Sequence, residues 1–330
     1  MPPTRSIPGS GPNACSPCAR LLRKSRALPL GFYAQELPRH RIDLDEICRD
    51  LLIAATLTGD WMEAATRECL SRVCAAVAGI AAMSASRGYG PIKVAQGIVG
   101  YADLALGDRV EPVLEALIRA GGGRLSGVRY SVGYDADPTI GNSRPDSAPH
   151  MYARPEVRAG VARLAAHGLV LDAWCYHPQL ADVIALARAV PQATIVMCHV
   201  GGVLGYGAYA GKKDQIHAEW RASMAELATC PNVSVKLGGM LNRGAAVNFR
   251  ELSAPPNSTA WAAAWRPYVE PCIELFGAER CNFESNFPVD NMGTGYATLW
   301  NAFKRITAGC SPTEKLALYS GTARRLYRLD

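Results

Sequence analysis

Four apolar runs in the second half of the chain end on residues able to move a proton or hold a charge: Cys175-Tyr176-His177, Cys198-His199, Val235-Lys236 and Phe283-Glu284-Ser285-Asn286. Arg129, inside an earlier apolar run, adds a second cation. Imidazole, carboxylate, cation and amide are groups from which general acid–base and charge-stabilising chemistry is built. They can act together only if the runs are parallel strands of a barrel, whose C-terminal ends converge on one mouth.

Each residue has a functional reading and a plainer one. His199 follows Ile195-Val196-Met197-Cys198 and precedes Gly201-Gly202, so its ring stands at a strand rim with little backbone bulk beside it. His177 precedes the strand-breaking Pro178, and Tyr176, of opposite parity, competes with it for the inward position. An ammonium in the apolar run around Lys236 must face the mouth or a carboxylate, and an ion pair with Glu284 is the plain alternative. Asn282, Glu284 and Asn286 alternate at period two and project to one side, with Asn286 nearest the opening. Asp290, in the loop after Pro288-Val289, reaches back over that opening or serves only as a turn residue.

From about residue 79, short β-branched runs alternate with longer amphipathic segments, the pattern of βα units around a parallel sheet. Strands are expected at 94–99, 127–132, 169–176, 194–198, 233–237 and 280–285, and helices at 111–120, 155–167, 180–190, 213–228 and 261–276. Ser311-Pro312-Thr313-Glu314 supplies an N-cap, a first-turn proline and a capping-box glutamate. The stretch 62–77 reads as helix, and the alanine-rich run 51–58 as a strand or part of a helix. The fold class is therefore α/β, a (β/α)8 TIM barrel of ~250 residues with extensions. The N-terminus offers no good eighth strand, so it is divergent and leaves the first strand missing or replaced. Residues 1–45 read as a disordered basic tail and 46–330 as the barrel.

With 330 residues and 49% hydrophobic content, the chain can bury a large core. The net charge of +6 lies largely before residue 50, in Arg20, Arg23, Lys24, Arg26, Arg39 and Arg41, and is a poor nucleic-acid signature. Eleven cysteines without regular spacing suit buried positions in a reducing, cytoplasmic compartment. Cys15-Ser16-Pro17-Cys18 has zinc or redox spacing but no second pair, and the glycine-rich stretch 201–207 lacks a dinucleotide pattern and reads as a mobile loop. His40, His150, His167 and His217 are single histidines in helical or loop contexts. No run approaches the ~18 apolar residues of a membrane span. The expected partner is a small-molecule substrate, with no nucleic acid and no membrane; a homo-oligomer is left open.

The segments Gly79-Ile80-Ala81-Ala82-Met83-Ser84, Trp174-Cys175-Tyr176-His177-Pro178-Gln179-Leu180, Cys198-His199-Val200-Gly201-Gly202, Val235-Lys236-Leu237-Gly238-Gly239 and Glu284-Ser285-Asn286-Phe287-Pro288-Val289-Asp290 resemble the amidohydrolase-related (amidohydrolase 2) TIM-barrel hydrolases. The branch is that of sugar lactonases and pyrone-dicarboxylate lactonases. Gly321-Thr322-Ala323-Arg324-Arg325-Leu326-Tyr327 resembles that family's last helix. The resemblance implies hydrolysis of a lactone or related carboxylate-bearing ester by water attack on a carbonyl. Decarboxylation within the same family, or a catalytically impaired barrel, are the alternatives.

Two departures bear on mechanism. The family's opening His-x-His is absent, and the one early histidine, His40, lies between Arg39 and Arg41, which disfavour a metal cation. No tightly bound metal is expected, and zinc by resemblance would have only His177, His199 and a carboxylate. The family's terminal general-base aspartate is Asn286 here, and an amide takes up no proton at neutral pH. The resemblance then has His199 polarise the carbonyl and Glu284, its pKa raised by burial, or Asp290 activate water. Arg129 and Lys236 would hold a substrate carboxylate, with Tyr176 and His177 as further substrate contacts.

Overall fold

The computed structural model describes residues 63–86, 93–241 and 255–329. The expected tail, the 51–58 run, His40 and the Cys15/Cys18 pair lie outside them. Helix α1 (Glu63–Ala85) is longer than the expected 62–77 and takes in the segment 79–84. Strand β1 (Ile98–Gly100) starts later than the expected 94–99, because Ala95 turns through a φ of 53° and Val94 is exposed.

The remaining elements follow the expected alternation. They are α2 (Glu111–Gly121), β2 (Leu125–Ser131), α3 (Pro155–Ala166), β3 (Val170–Trp174), α4 (Leu180–Ala189), β4 (Ile195–Met197) and α5 (Lys213–Ala228). Then come β5 (Val233–Leu237), α6 (Ser258–Phe276), β6 (Cys281–Phe283), α7 (Tyr296–Ile306), α8 (Pro312–Leu316) and α9 (Thr322–Tyr327). Helix α6 starts earlier than its apolar pattern because the Asn257 side chain caps the amides of Thr259 and Ala260. Ser311 and Glu314 form the expected capping box at α8.

All neighbouring strands pair in parallel, in the order β1-β2-β3-β4-β5-β6, and the sheet curls into a half-barrel with helices outside. Its two faces are unlike. Leu171, Ala173, Ile195, Met197, Val233 and Val235 point outward into the helix-packed core. The other parity points inward, with Arg129 beside Asp172, Asp172 beside Val196, and Lys236 beside Asn282. Burial on both faces explains why the strands read as nearly continuous apolar runs.

The C-terminus closes the concave face from the end where the strands begin. Leu326 and Tyr327 of α9 pack on Val170 and Val196. Ser126 donates to the Tyr327 carbonyl at 2.6 Å, and Arg328 donates to the carbonyls of Gly168 and Leu125. Among the described residues the cysteines are free, and no helix is long and apolar enough to cross a membrane.

Candidate active site

The chain turns sharply where β4 and β6 end. His199, Val200 and Asn286 adopt φ values of 56°, 47° and 50°, a left-handed conformation that is costly for non-glycine residues and clusters at functional sites. The turn after β4 swings the His199 ring toward β6, where its Nδ1 lies 2.5 Å from Oε1 of Glu284. Gly238 and Gly239 leave room for this contact. A Cβ on Gly239 would lie 2.1 Å from His199 Nδ1, and one on Gly238 would lie 2.3 Å from the Glu284 carbonyl oxygen.

Below this pair lies a charge cluster centred on Asp172, a residue that sequence reasoning missed. Its carboxylate is fully buried, with Oδ2 taking Lys236 Nζ at 2.5 Å and Arg129 Nη2 at 3.0 Å, and Oδ1 taking the Tyr327 hydroxyl at 2.6 Å. Burial alone would raise its pKa, but Lys236 and Arg129 outweigh that and hold it below the usual carboxylate range. The signal was present: an aspartate inside Val170–Trp174 cannot face the helices, so it must face a cation.

Lys236, expected to hold substrate, instead has its ammonium on Asp172, 4.0 Å from Glu284 Oε2 and over the Tyr327 ring. Burial opposes its charge, but Asp172 keeps its pKa raised. Glu284 reverses the sequence expectation as well. Desolvation pushes its carboxyl up, but His199, Lys236 and Arg129 together bring it down to about 2. It is an ionised partner for His199 throughout the working range and a poor proton acceptor.

The mouth is a cleft of about 240 Å³ lined by Arg129, Ser131, Ser143, Trp174, His199 and Asn286. His199 Nδ1 faces Glu284, and among the described residues Nε2 makes no hydrogen bond, so Nε2 is the nitrogen available to the cleft. Arg129 is about one third exposed, its Nε has no hydrogen-bond partner, and only Nη2 is engaged by Asp172. Trp174 packs edge-on against His199, with ring centroids 6.3 Å apart.

Asp290 lies behind Asn286, whose Nδ2 donates to its Oδ1 at 2.7 Å. Burial, reinforced by Glu284, pushes its pKa to about 7. Its unfolded value is about 3.9, so between about pH 4 and 7 the native state holds a proton that the unfolded state has lost. This group therefore makes stability fall as pH rises through that window. Relative to wild type, Asp290→Asn should gain on the order of 3 kcal/mol on going from pH 5 to pH 8 in chemical unfolding. A difference independent of pH would contradict the assignment.

His177 and Tyr176 are buried beside the mouth rather than in it. His177 Nδ1 accepts from the Leu204 amide at 3.3 Å, and burial pushes its pKa down to about 4. Tyr176 donates to the Gly141 carbonyl and packs edge-on against Trp174. The glycine-rich loop, expected to be mobile, is tied to the β2–α3 loop. Asp137 accepts from the Ala208 amide, and Tyr206 and Tyr209 donate to Ile140 and Asp135. His150, His167 and His217 pair with Asp182, Glu111 and the Pro267 carbonyl, outside the cleft.

A family model for amidohydrolases (Amidohydro_2) matches residues 92–329. The chain belongs to the amidohydrolase family. The uncharacterized protein y4mH of Sinorhizobium fredii is 36% identical over 234 residues, covering 71% of this amidohydrolase and 70% of its own length. An L-fucono-1,5-lactonase of Burkholderia multivorans is 28% identical over 237 residues, 70% of this chain and 71% of the lactonase. Crystal structures of an amidohydrolase from Burkholderia multivorans, one with bound HEPES and one with bound zinc, align with TM-scores of 0.59 and 0.61. Their identities are 25% and 26%, and they cover 77% and 78% of this chain and 79% and 80% of their own.

Zinc raises the question of whether this amidohydrolase has ligands for it. Glu284 and His199 Nδ1 are engaged with each other, Asp172 is held by three donors, and His177 Nδ1 accepts from backbone. Among the described residues no group of three or more His, Cys, Asp or Glu side chains is placed to hold an ion. Arg129 and Lys236 occupy the interior instead, so these residues do not fit a zinc site.

Proposed function

We propose that this amidohydrolase hydrolyses an uncharged, hydroxyl-bearing lactone without a metal, and that its half-barrel belongs to a complete (β/α)8 barrel. The observation carrying the reading is the His199–Glu284 pair at the edge of a cleft that Arg129 also lines. A histidine whose Nδ1–H is held by an ionised carboxylate has its Nε2 lone pair free to take a proton. Nε2 removes a proton from water as the water oxygen bonds to the lactone carbonyl carbon. The carbonyl electrons move onto oxygen, which Arg129 stabilises, and Glu284 stabilises the imidazolium. Collapse breaks the acyl–ring oxygen bond, the ring oxygen takes the proton from Nε2, and a hydroxy acid leaves.

This differs in two roles from the sequence expectation. His199, rather than Glu284, handles the proton, because Glu284 Oε1 is engaged by His199 Nδ1 and the neighbouring Lys236 and Arg129 also favour its ionised form. A substrate carboxylate is disfavoured because Asp172 and Glu284 already balance Arg129 and Lys236. Ser131, Ser143 and Asn286 suit hydroxyl groups, and Trp174 offers a ring to cover, consistent with the likeness to an L-fucono-1,5-lactonase. The test is a hydrolysis screen of neutral sugar lactones against dicarboxylate lactones, with and without a chelator. Turnover of neutral lactones undiminished by chelation is expected. Failure on the whole panel would remove the hydrolase reading, and chelator-sensitive turnover would remove its metal-free form.

A further inference from the structure

We propose that Tyr327, in the last turn of α9, is a positioning residue for the reaction: its hydroxyl fixes the Asp172 carboxylate that aims Arg129 into the cleft. The inference rests on the role given above to Arg129. The C-terminal helix would otherwise be only a plug. Its carbonyls and arginines do fasten it to the beginnings of β2 and β3. The Tyr327 hydroxyl does something different, reaching past that layer to an acid in the middle of β3.

Asp172 is fully buried, so the partners of its two oxygens decide how the carboxylate is turned. Oδ2 is shared by Lys236 and Arg129, and Oδ1 takes the Tyr327 hydroxyl. Without that hydroxyl, Oδ1 would be a buried anionic oxygen lacking a donor, a costly state that neighbouring cations would relieve. Lys236 is within reach, its Nζ 4.9 Å from the Tyr327 ring centroid. Any rearrangement that gives Oδ1 a cation moves Lys236 or Arg129 away from the arrangement that supports Glu284 and the cleft. Burial and the nearby Asp172 raise the phenol's pKa, so the hydroxyl remains a donor throughout the working range.

Tyr327→Phe isolates the effect, because it keeps the ring, the plug packing and the contact with Lys236 and removes one oxygen. On a lactone turned over by the wild type, kcat should fall about tenfold with KM within about twofold, since Arg129 acts on the developing oxyanion. Leu326→Ala, which weakens the plug but leaves the hydroxyl, should lower the melting temperature and leave kcat unchanged below the transition. Wild-type kcat in Tyr327→Phe would overturn the proposal and leave the hydrolase reading standing. If the wild type turns over no lactone, the hydrolase reading falls, and a crystal structure of Tyr327→Phe decides this proposal separately. Movement of Arg129 or Lys236 onto Oδ1 would support it, and both cations unmoved on Oδ2 would overturn it.

Discussion

Turnover of any lactone that this enzyme hydrolyses should fall by about 10³-fold in His199→Gln, the upper part of the range for losing a positioned general base. Glutamine keeps an N–H donor near Glu284 and removes the basic nitrogen, so the variant should stay folded. His199→Ala should lose similar activity and also stability, on the order of 3 kcal/mol, because Glu284 is left ionised and nearly buried with Lys236 at 4.0 Å as its remaining close partner. The pH dependence of that loss has a definite sign. The native Glu284 pKa of about 2 lies below the unfolded value, so its contribution is present above about pH 4.3 and disappears as pH falls toward 2. Added imidazole should partly restore His199→Ala by occupying the vacated space. Steady-state kinetics checks the first effect and denaturant unfolding the second; activity in His199→Gln within a few-fold of wild type would sink the mechanism.

The largest stability effect is expected at Asp172 rather than at the cleft. Asp172→Ala removes the common acceptor of Arg129, Lys236 and Tyr327, leaving two cations in the concave face with Glu284 as the nearby anion. Breaking a buried ion pair from one side costs about 3–5 kcal/mol, since the unpaired charge cannot be rehydrated. This is a large part of the ~5–15 kcal/mol that holds a typical domain folded. Equilibrium unfolding of Asp172→Ala should show that loss, and Asp172→Asn should recover only part of it because an amide offers the cations no charge. A loss below about 1 kcal/mol would mean that the charges are solvated and that the cluster does not organise the interior.

The parallel sheet and the positions of its strand ends were legible in the chain because β3 to β6 are buried on both faces and the strands are bounded by glycine or proline. The pattern failed at β1, where Ala95 and Val94 are apolar by type but lie outside the strand, so hydrophobicity placed it too early. It also placed His177 and Tyr176 at the mouth as substrate contacts, whereas both are buried beside it. Like His199, both follow an apolar strand, but only the left-handed turn at His199 carries a ring onto Glu284.

By itself the sequence determined part of the concave face, since period-two alternation puts Asn282, Glu284 and Asn286 on one side and a charge inside an apolar run, such as Lys236, must find a partner, although Asp172 was missed. It also carried the family, in short segments around the strand ends. Which charges meet was decided only by tertiary structure. The stagger between strands brought Lys236 and Arg129 to Asp172, and the returning C-terminus brought Tyr327 to the same carboxylate. Electrostatics then reversed the expected chemistry: burial pushed Asp290 up, whereas three nearby cationic or hydrogen-bonding groups pulled Glu284 down. Burial of a carboxylate can be read from its strand, but its pKa depends on neighbours that arrive from elsewhere in the chain.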